Sequence, residues 1–269
     1  MRIGIIGLGL MGGSLALALR EQTPGLTVLG EDTDEATQRT ALESGLIVEG
    51  RPREADLLVL ACPISAMRAV FGALRGFDGV VTDVASTKVQ VLAWAGEAGL
   101  DLVGGHPMCG REQFGLSAAQ ADLYQGASWV LTRDEPMVLD LVRSVGANPV
   151  FLTAERHDRV VAGISHAAFL LSAAYVLALA GSPDWEDMQR VAGPGFRDVS
   201  RLAAGDPRLY AAIATSNRTP VAETLRAIEQ SLAALRQRVE AGGAELPQLF
   251  SEAKRLRDRW AGDHPEGGR

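Results

Sequence analysis

Arg2-Ile3-Gly4-Ile5-Ile6-Gly7-Leu8-Gly9-Leu10-Met11-Gly12 is the stretch that decides the fold. An apolar run, Arg2–Ile6, enters a Gly-x-Gly-x-x-Gly turn, and a helical pattern follows from Ser14 to Glu21. A strand, a glycine turn and a helix in that order form the phosphate-binding start of a dinucleotide fold. Gly7 permits the tight turn, Gly9 lets backbone N–H groups approach a pyrophosphate, and Gly12 lets helix and strand pack closely. Leu10 and Met11 open the helix, whose N-terminus faces the anion. The next apolar run ends at Gly30-Glu31-Asp32, about 20 residues on, where an acid accepts hydrogen bonds from the adenosine ribose. Asp32 is the residue placed there. Glu31 points to the other face, and no arginine follows before Arg39, so NAD is favoured over NADP.

Working outward, strands are expected at Thr27–Gly30, Asp56–Ala61, Gly79–Asp83, Asp101–Val103, Ser128–Thr132 and Pro149–Leu152. Helical spacing separates most of them, as with Met67, Val70, Phe71 and Leu74. The alternation predicts an α/β, Rossmann-type, doubly wound parallel sheet over residues 1–153. Beyond Ala154 the strand signals stop. Ala162–Ala180 and Pro220–Ala241 read as long helices, and Asp206-Pro207 reads as an N-cap followed by proline at the first helical position. Ile164, Ala168, Leu171 and Tyr175 on one helix, and Leu225, Ile228, Leu232 and Leu235 on the other, exceed what a lone hairpin can hide. An all-helical domain is therefore expected over 154–261, its surplus apolar surface suggesting a dimerisation interface or burial against the first domain, with a frayed tail at 262–269.

Composition excludes several classes. With 47% hydrophobic and 22% charged residues the chain is an ordinary globular one, and a net charge of -7 leaves no basic stripe for nucleic acid. Cys62 and Cys109 make no disulfide framework, and four histidines without CxxC or HExxH spacing suggest no metal site. No signal peptide is expected ahead of the first strand. The apolar stretch Ala162–Ala180 includes Ser165, His166, Ser172 and Tyr175, so it is read as buried in protein rather than membrane. The expected setting is the cytoplasm.

Chemistry concentrates in Gly104-Gly105-His106-Pro107-Met108-Cys109-Gly110, read as a strand-end loop carrying a single histidine. Asp83-Val84-Ala85-Ser86-Thr87-Lys88 ends another strand and begins a helix. Ligands of this architecture bind at the carboxyl ends of the strands, so Ser86 and His106 share that edge. Ser86 suits both an N-cap and a site role, orienting the imidazole or contacting the nicotinamide.

Taken together, Gly7–Gly12, Asp83-x-x-Ser86-x-Lys88 and Gly105-His106-Pro107-x-x-Gly110-x-Glu112 resemble the prephenate/arogenate dehydrogenases of tyrosine biosynthesis. The second half is similar too: His157-Asp158, Ser165-His166, Gly195-Phe196-Arg197-Asp198-x-x-Arg201 and Asp206-Pro207-x-x-Tyr210. The resemblance spans nearly the whole chain in order. It implies a nucleotide-binding domain followed by a helical dimerisation domain, with NAD as cofactor and oxidative decarboxylation as the reaction. At this length neither a fused mutase nor a large regulatory domain is expected.

By the same resemblance His106 takes up the proton of the substrate hydroxyl, Ser86 supports it beside the nicotinamide, and Arg201 holds a carboxylate. A planar, permanently charged guanidinium suits that last task. Glu112, Ser165, Gly195 and Tyr210 line or gate the pocket. Arg197 and Asp198 form a pair near the subunit boundary, where Arg197 reaches the neighbouring site or is an ordinary surface group. Lys88 fits the motif without a role beyond charge balance. Many relatives carry Ser-His-x-x-His, whereas here the last position is Phe169 and His166 reads as a satisfied core histidine. That change leaves tyrosine inhibition open, and prephenate, arogenate or both remain possible substrates. A 3-hydroxyacid dehydrogenase needs a lysine in the second half, and none occurs between Ala154 and Ala241. A non-catalytic nucleotide-binding module is disfavoured by the presence of Ser86, His106 and Arg201 together.

Overall fold

The computed structural model describes residues 1–23, 25–110 and 113–263. The first strand, β1 (Arg2–Ile6), feeds α1 (Leu10–Gln22) through the glycine turn. The alternation continues with β2 (Thr27–Glu31), α2 (Glu35–Glu43), β3 (Leu57–Leu60), α3 (Ile64–Ala73), β4 (Val80–Asp83), α4 (Val89–Glu97) and β5 (Leu102–Val103). These strands form one parallel sheet in the order β2-β1-β3-β4-β5. Central β3 reads Leu57-Leu58-Val59-Leu60 and is fully buried, as a strand covered on both faces must be. Leu57 and Val59 join Ile3, Ile5 and Leu15 in one core, while Leu58 and Leu60 join Met67, Phe71 and Val81 in the other. Strand alternation produces that division, and each such side chain contributes about 1.5–3 kcal/mol on burial.

After β5 the chain departs from the single sheet expected. β6 (Gly105–Pro107) pairs antiparallel with β7 (Ser128–Leu131), and β7 pairs parallel with β8 (Asn148–Phe151). The strands read at Ser128–Thr132 and Pro149–Leu152 do form, but in this separate three-stranded sheet, between which α5 (Pro136–Ser144) intervenes. His106, read as a loop residue, is the middle of β6 and faces Val130 in the register. The crossover is pinned at Gly104, whose N–H donates to Thr132 Oγ1 (2.9 Å) while its carbonyl accepts from Thr132 N (2.9 Å). A Cβ on Gly105 would lie 2.4 Å from the Asp83 carbonyl, so only glycine lets β6 run this close to β4.

Among the described residues from Ala154 onward the regular elements are all helical: α6 (Ala154–Val161), a π-helical turn at Ala162–His166, α7 (Ala167–Ala180), α8 (Trp185–Val191) and α9 (Pro194–Ser200). A 3₁₀ turn at Arg201–Ala204 leads into α10 (Pro207–Ser216), α11 (Arg218–Glu240) and α12 (Leu246–Asp263). Asp206 caps α10 through the N–H groups of Arg208 and Leu209, with Pro207 at the first helical position as read. Ala154–Ala180 is continuous, 27 residues long, and by length and composition long enough to cross a membrane. Only 33% of its most apolar window is buried, and Ile164 and Leu177 are 68% and 72% exposed. The expectation that protein buries this helix is therefore not met within one chain.

The chain divides into two compact units, Met1–Val221 and Ala222–Arg269. The change from alternating strands and helices to helices alone, read at 153/154, lies inside the first unit. The second unit holds the remainder of α11 and α12, lined by exposed ion pairs such as Arg236–Glu240 and Lys254–Asp258. α12 continues through Gly262 and Asp263, where the tail was expected to begin; residues 264–269 lie outside the described residues.

Candidate active site

The nucleotide end of the site is built by three glycines. Gly7 has φ 95°, a conformation that side chains rarely adopt, and a Cβ on Gly12 would lie 1.9 Å from the Gly7 carbonyl. A Cβ on Gly9, by contrast, would meet nothing within 4 Å. Gly9 is also the N-cap of α1 and offers no side-chain cap, so no side chain at that position competes for the first-turn N–H groups, which include those of Leu10 and Met11. Open space and uncapped donors suit a pyrophosphate. Asp32 fastens the same turn: Oδ2 accepts from Leu8 N (2.7 Å) and Oδ1 from Asp34 N (2.9 Å). A carboxylate has about four acceptor sites, so these two bonds leave room for ribose hydroxyls. Glu31 is exposed.

Ser86 and His106 both follow β4 or β5 at the carboxyl edge of the parallel sheet, where the glycine turn also lies. Ser86 is half-buried but does not cap α4. Asp158 of α6 performs that task from 70 residues away, accepting from Lys88 N (2.8 Å) and Val89 N (2.9 Å). Lys88, for which sequence supplied no role, is fully buried. Its ammonium donates to Asp83 and to the carbonyl of Gly105, while Asp83 Oδ1 accepts from Gly105 N (3.0 Å). The pair thus fastens β6, and His106 with it, to the end of β4.

His106 is 8% exposed. Its Nδ1 lies 2.8 Å from His157 Nε2, and His157 Nδ1 lies 2.7 Å from Asp158 Oδ1. His157 thus orients the imidazole, while Ser86, read as orienting it or contacting the nicotinamide, stands at the same sheet edge. Burial, reinforced by His157, Lys88 and His166, pushes the His106 imidazole well below its usual range. Burial acts in the opposite sense on the Asp158 carboxyl, yet the bonds from His157, Val89 and Lys88 hold it below the usual carboxylate range. At neutral pH the group is therefore a neutral imidazole beside an ionised carboxylate with one imidazole between them. His157 and Asp158 belonged to the matched motif, but only the fold shows which neighbours they serve.

His166 ends the π turn and is only half satisfied, contrary to the reading of a satisfied core histidine. Its Nδ1 is 3.1 Å from Asn217 Nδ2, but its buried Nε2 is unpartnered, and burial lowers the imidazole to about 4. Asn217, which sequence reading missed, also donates to the Asp158 carbonyl (2.7 Å). Thr87 Oγ1 donates to Ser216 Oγ (3.2 Å), so the end of α10 is tied to the Ser86 loop. Phe169, in place of the relatives' histidine, stacks on Tyr210 at 4.0 Å with an interplanar angle of 8°. Ser165 is half-buried in the π turn, a feature that recurs at functional sites.

Gly195 and Arg197 lie on exposed α9, and Arg197 pairs loosely with Asp198 (3.4 Å) rather than with the His106 group. Arg201 opens the exposed 3₁₀ turn. Ser172 of α7 holds that segment, donating to the Val199 carbonyl (2.8 Å) and accepting from Ala203 N (3.0 Å). Glu112 lies outside the described residues. Cys62 and Cys109 are free, and among the described residues no cluster of potential metal ligands occurs.

Comparison with known proteins covers both halves. Residues 15–148 match the family model "Prephenate dehydrogenase, nucleotide-binding domain", and residues 153–253 match "Prephenate dehydrogenase, dimerization domain". A prephenate dehydrogenase of Lactococcus lactis subsp. cremoris is 29% identical over 273 residues, covering 95% of this chain and 76% of that protein. The crystal structure of Synechocystis arogenate dehydrogenase is 32% identical with a TM-score of 0.83, covering 97% of this chain and 100% of that one. Prephenate dehydrogenase from A. aeolicus, crystallised with hydroxyphenyl propionate and NAD+, is 28% identical with a TM-score of 0.89, covering 96% and 98%.

Proposed function

The chain belongs to the prephenate dehydrogenase family, and from that premise we propose that it converts prephenate to 4-hydroxyphenylpyruvate by NAD-dependent oxidative decarboxylation. The observation that carries this reading is His106: buried, kept neutral, and held through Nδ1 at the same sheet edge as the open Gly7–Gly12 turn. Gly7, Gly9, Leu10, Met11, Gly12, Asp32 and Ser86 would hold the cofactor, and bound NAD+ supplies the hydride acceptor. His106 takes the ring hydroxyl's proton as hydride leaves the carbon that bears it. The bond to the ring carboxylate then breaks, its electron pair enters the ring, CO2 departs, and His106 returns the proton to the oxygen. Aromatisation provides much of the driving force, so the protein chiefly positions the substrate and moves one proton.

Arg201 binds a substrate carboxylate, with Ser165, Gly195 and Tyr210 around the same pocket. The exposed apolar face of α7 supports a homodimer, and in this reading Arg197 reaches towards the neighbouring subunit's site. The free Cys62 and Cys109 fit a cytoplasmic enzyme. Arogenate is the second reading, favoured by the 32% identity to an arogenate dehydrogenase. The test is to measure NADH and CO2 together with prephenate and with arogenate, each with NAD+ and NADP+. Equal amounts of NADH and CO2, with higher kcat/KM for prephenate and NAD+, are expected. NADH without CO2 contradicts oxidative decarboxylation, and a preference for arogenate contradicts the substrate assignment.

A further inference from the structure

The line His106–His157–Asp158 does more than anchor a base. Asp158 is surrounded by donors: Oδ1 accepts from His157 Nδ1 and Lys88 N, Oδ2 accepts from Val89 N, and its carbonyl accepts from Asn217. An ionised carboxylate accepts but cannot donate, so the proton of that contact sits on His157 Nδ1. With one proton on the His157 ring its Nε2 is bare, and the 2.8 Å contact to His106 then closes through a proton on His106 Nδ1. The second nitrogen of His106 is left without one. It makes no hydrogen bond to the described residues and is not among the fully buried unpartnered atoms, which are Trp129 Nε1 and His166 Nε2.

We propose that His157 and Asp158 are positioning residues that fix His106 as the Nδ1-protonated tautomer and so present a bare Nε2 to the substrate hydroxyl. The inference rests on the reading that this site oxidises a ring alcohol. It also says where charge goes during turnover. When Nε2 takes the hydroxyl proton, the Nδ1 proton can pass to His157 Nε2, placing the positive charge on the ring bonded to Asp158. No proton is gained or lost, and the reverse transfer returns it to the product oxygen. The titratable groups facing His106 are Lys88 from the turn before α4, and His157 and His166 from the helix Ala154–Ala180. Lys88 is itself neutralised by Asp83, which leaves Asp158 as the anion serving the imidazole pair.

Imidazole nitrogen NMR of the full, 15N-labelled wild-type protein without substrate tests the tautomer whatever the reaction proves to be. Above pH 7, His106 and His157 are both expected to show a protonated Nδ1 and a bare Nε2; a His106 ring protonated at Nε2 overturns the proposal. Kinetics with prephenate supply the second readout. His157→Leu removes the acceptor and is expected to lower kcat by about 100-fold, leaving KM within about 2-fold. His157→Gln places an amide oxygen near the position of Nε2 and is expected to recover kcat to within about 10-fold of wild type. Equal losses in folded Leu and Gln variants overturn the positioning role. If neither variant folds, the wild-type spectrum still decides. A wild-type protein with the expected tautomers but no turnover of prephenate or arogenate defeats the proposed reaction and leaves the hydrogen-bonded line standing.

Discussion

At the scale of single residues, each charged group near the site has a distinct task. Arg201 stands on a turn held by Ser172, outside the hydrogen-bonded line of His106, so its proposed contact is with substrate rather than with the proton. Arg201→Ala is accordingly expected to raise KM for prephenate by at least about 10-fold, with a smaller effect on kcat, in steady-state assays at saturating NAD+. An unchanged KM removes Arg201 from the pocket. His106 and Arg201 were legible as candidate site residues because one sits beside a glycine-rich strand end and the other follows a Gly-Pro-Gly break, within an ordered set of motifs. His157, Asp158 and Asn217 were legible as residues but not as partners. Their connections to His106, α4 and His166 span 51, 70 and 51 positions, and no local periodicity encodes them.

At the scale of elements, β6 is the informative case. Gly105-His106-Pro107 is too short for alternation to declare a strand, and its glycine and proline suggest a turn. It becomes a strand because Lys88 and Asp83 grip both polar groups of Gly105 and because β7 supplies a partner edge. Lys88→Met leaves the Asp83 carboxylate buried without its cation, at a cost of about 3–5 kcal/mol. Urea unfolding measures this directly; a loss below about 1 kcal/mol would show that the pair contributes no such stabilisation. The elements of the first sheet were readable in the sequence for the opposite reason. β1, the glycine turn and α1 are contiguous, and buried β3 declares itself by four consecutive aliphatic residues.

At the scale of the whole molecule, acid should act through the buried histidines. Burial lowers folded His166 from 6.5 to about 4, while the unfolded chain keeps the ordinary value. Below pH 6.5 the unfolded state therefore binds the proton first, and stability falls as pH drops towards 4. This one group accounts for about 3 kcal/mol across that interval, and His106, also depressed, adds to it. His166→Gln is expected to flatten the dependence of unfolding free energy on pH between 6.5 and 4, whereas an unaltered slope contradicts the buried neutral ring. The same fold places a glycine turn and a neutral imidazole at one sheet edge, the imidazole joined through His157 to an ionised carboxylate, and the central claim is that His106 moves the substrate's proton there. The direct measurement is kcat for prephenate in wild type and His106→Asn, with NAD+ affinity determined alongside. The expected result is a fall of about 10²–10⁴-fold with NAD+ affinity nearly unchanged. A folded His106→Asn enzyme with wild-type turnover would contradict it.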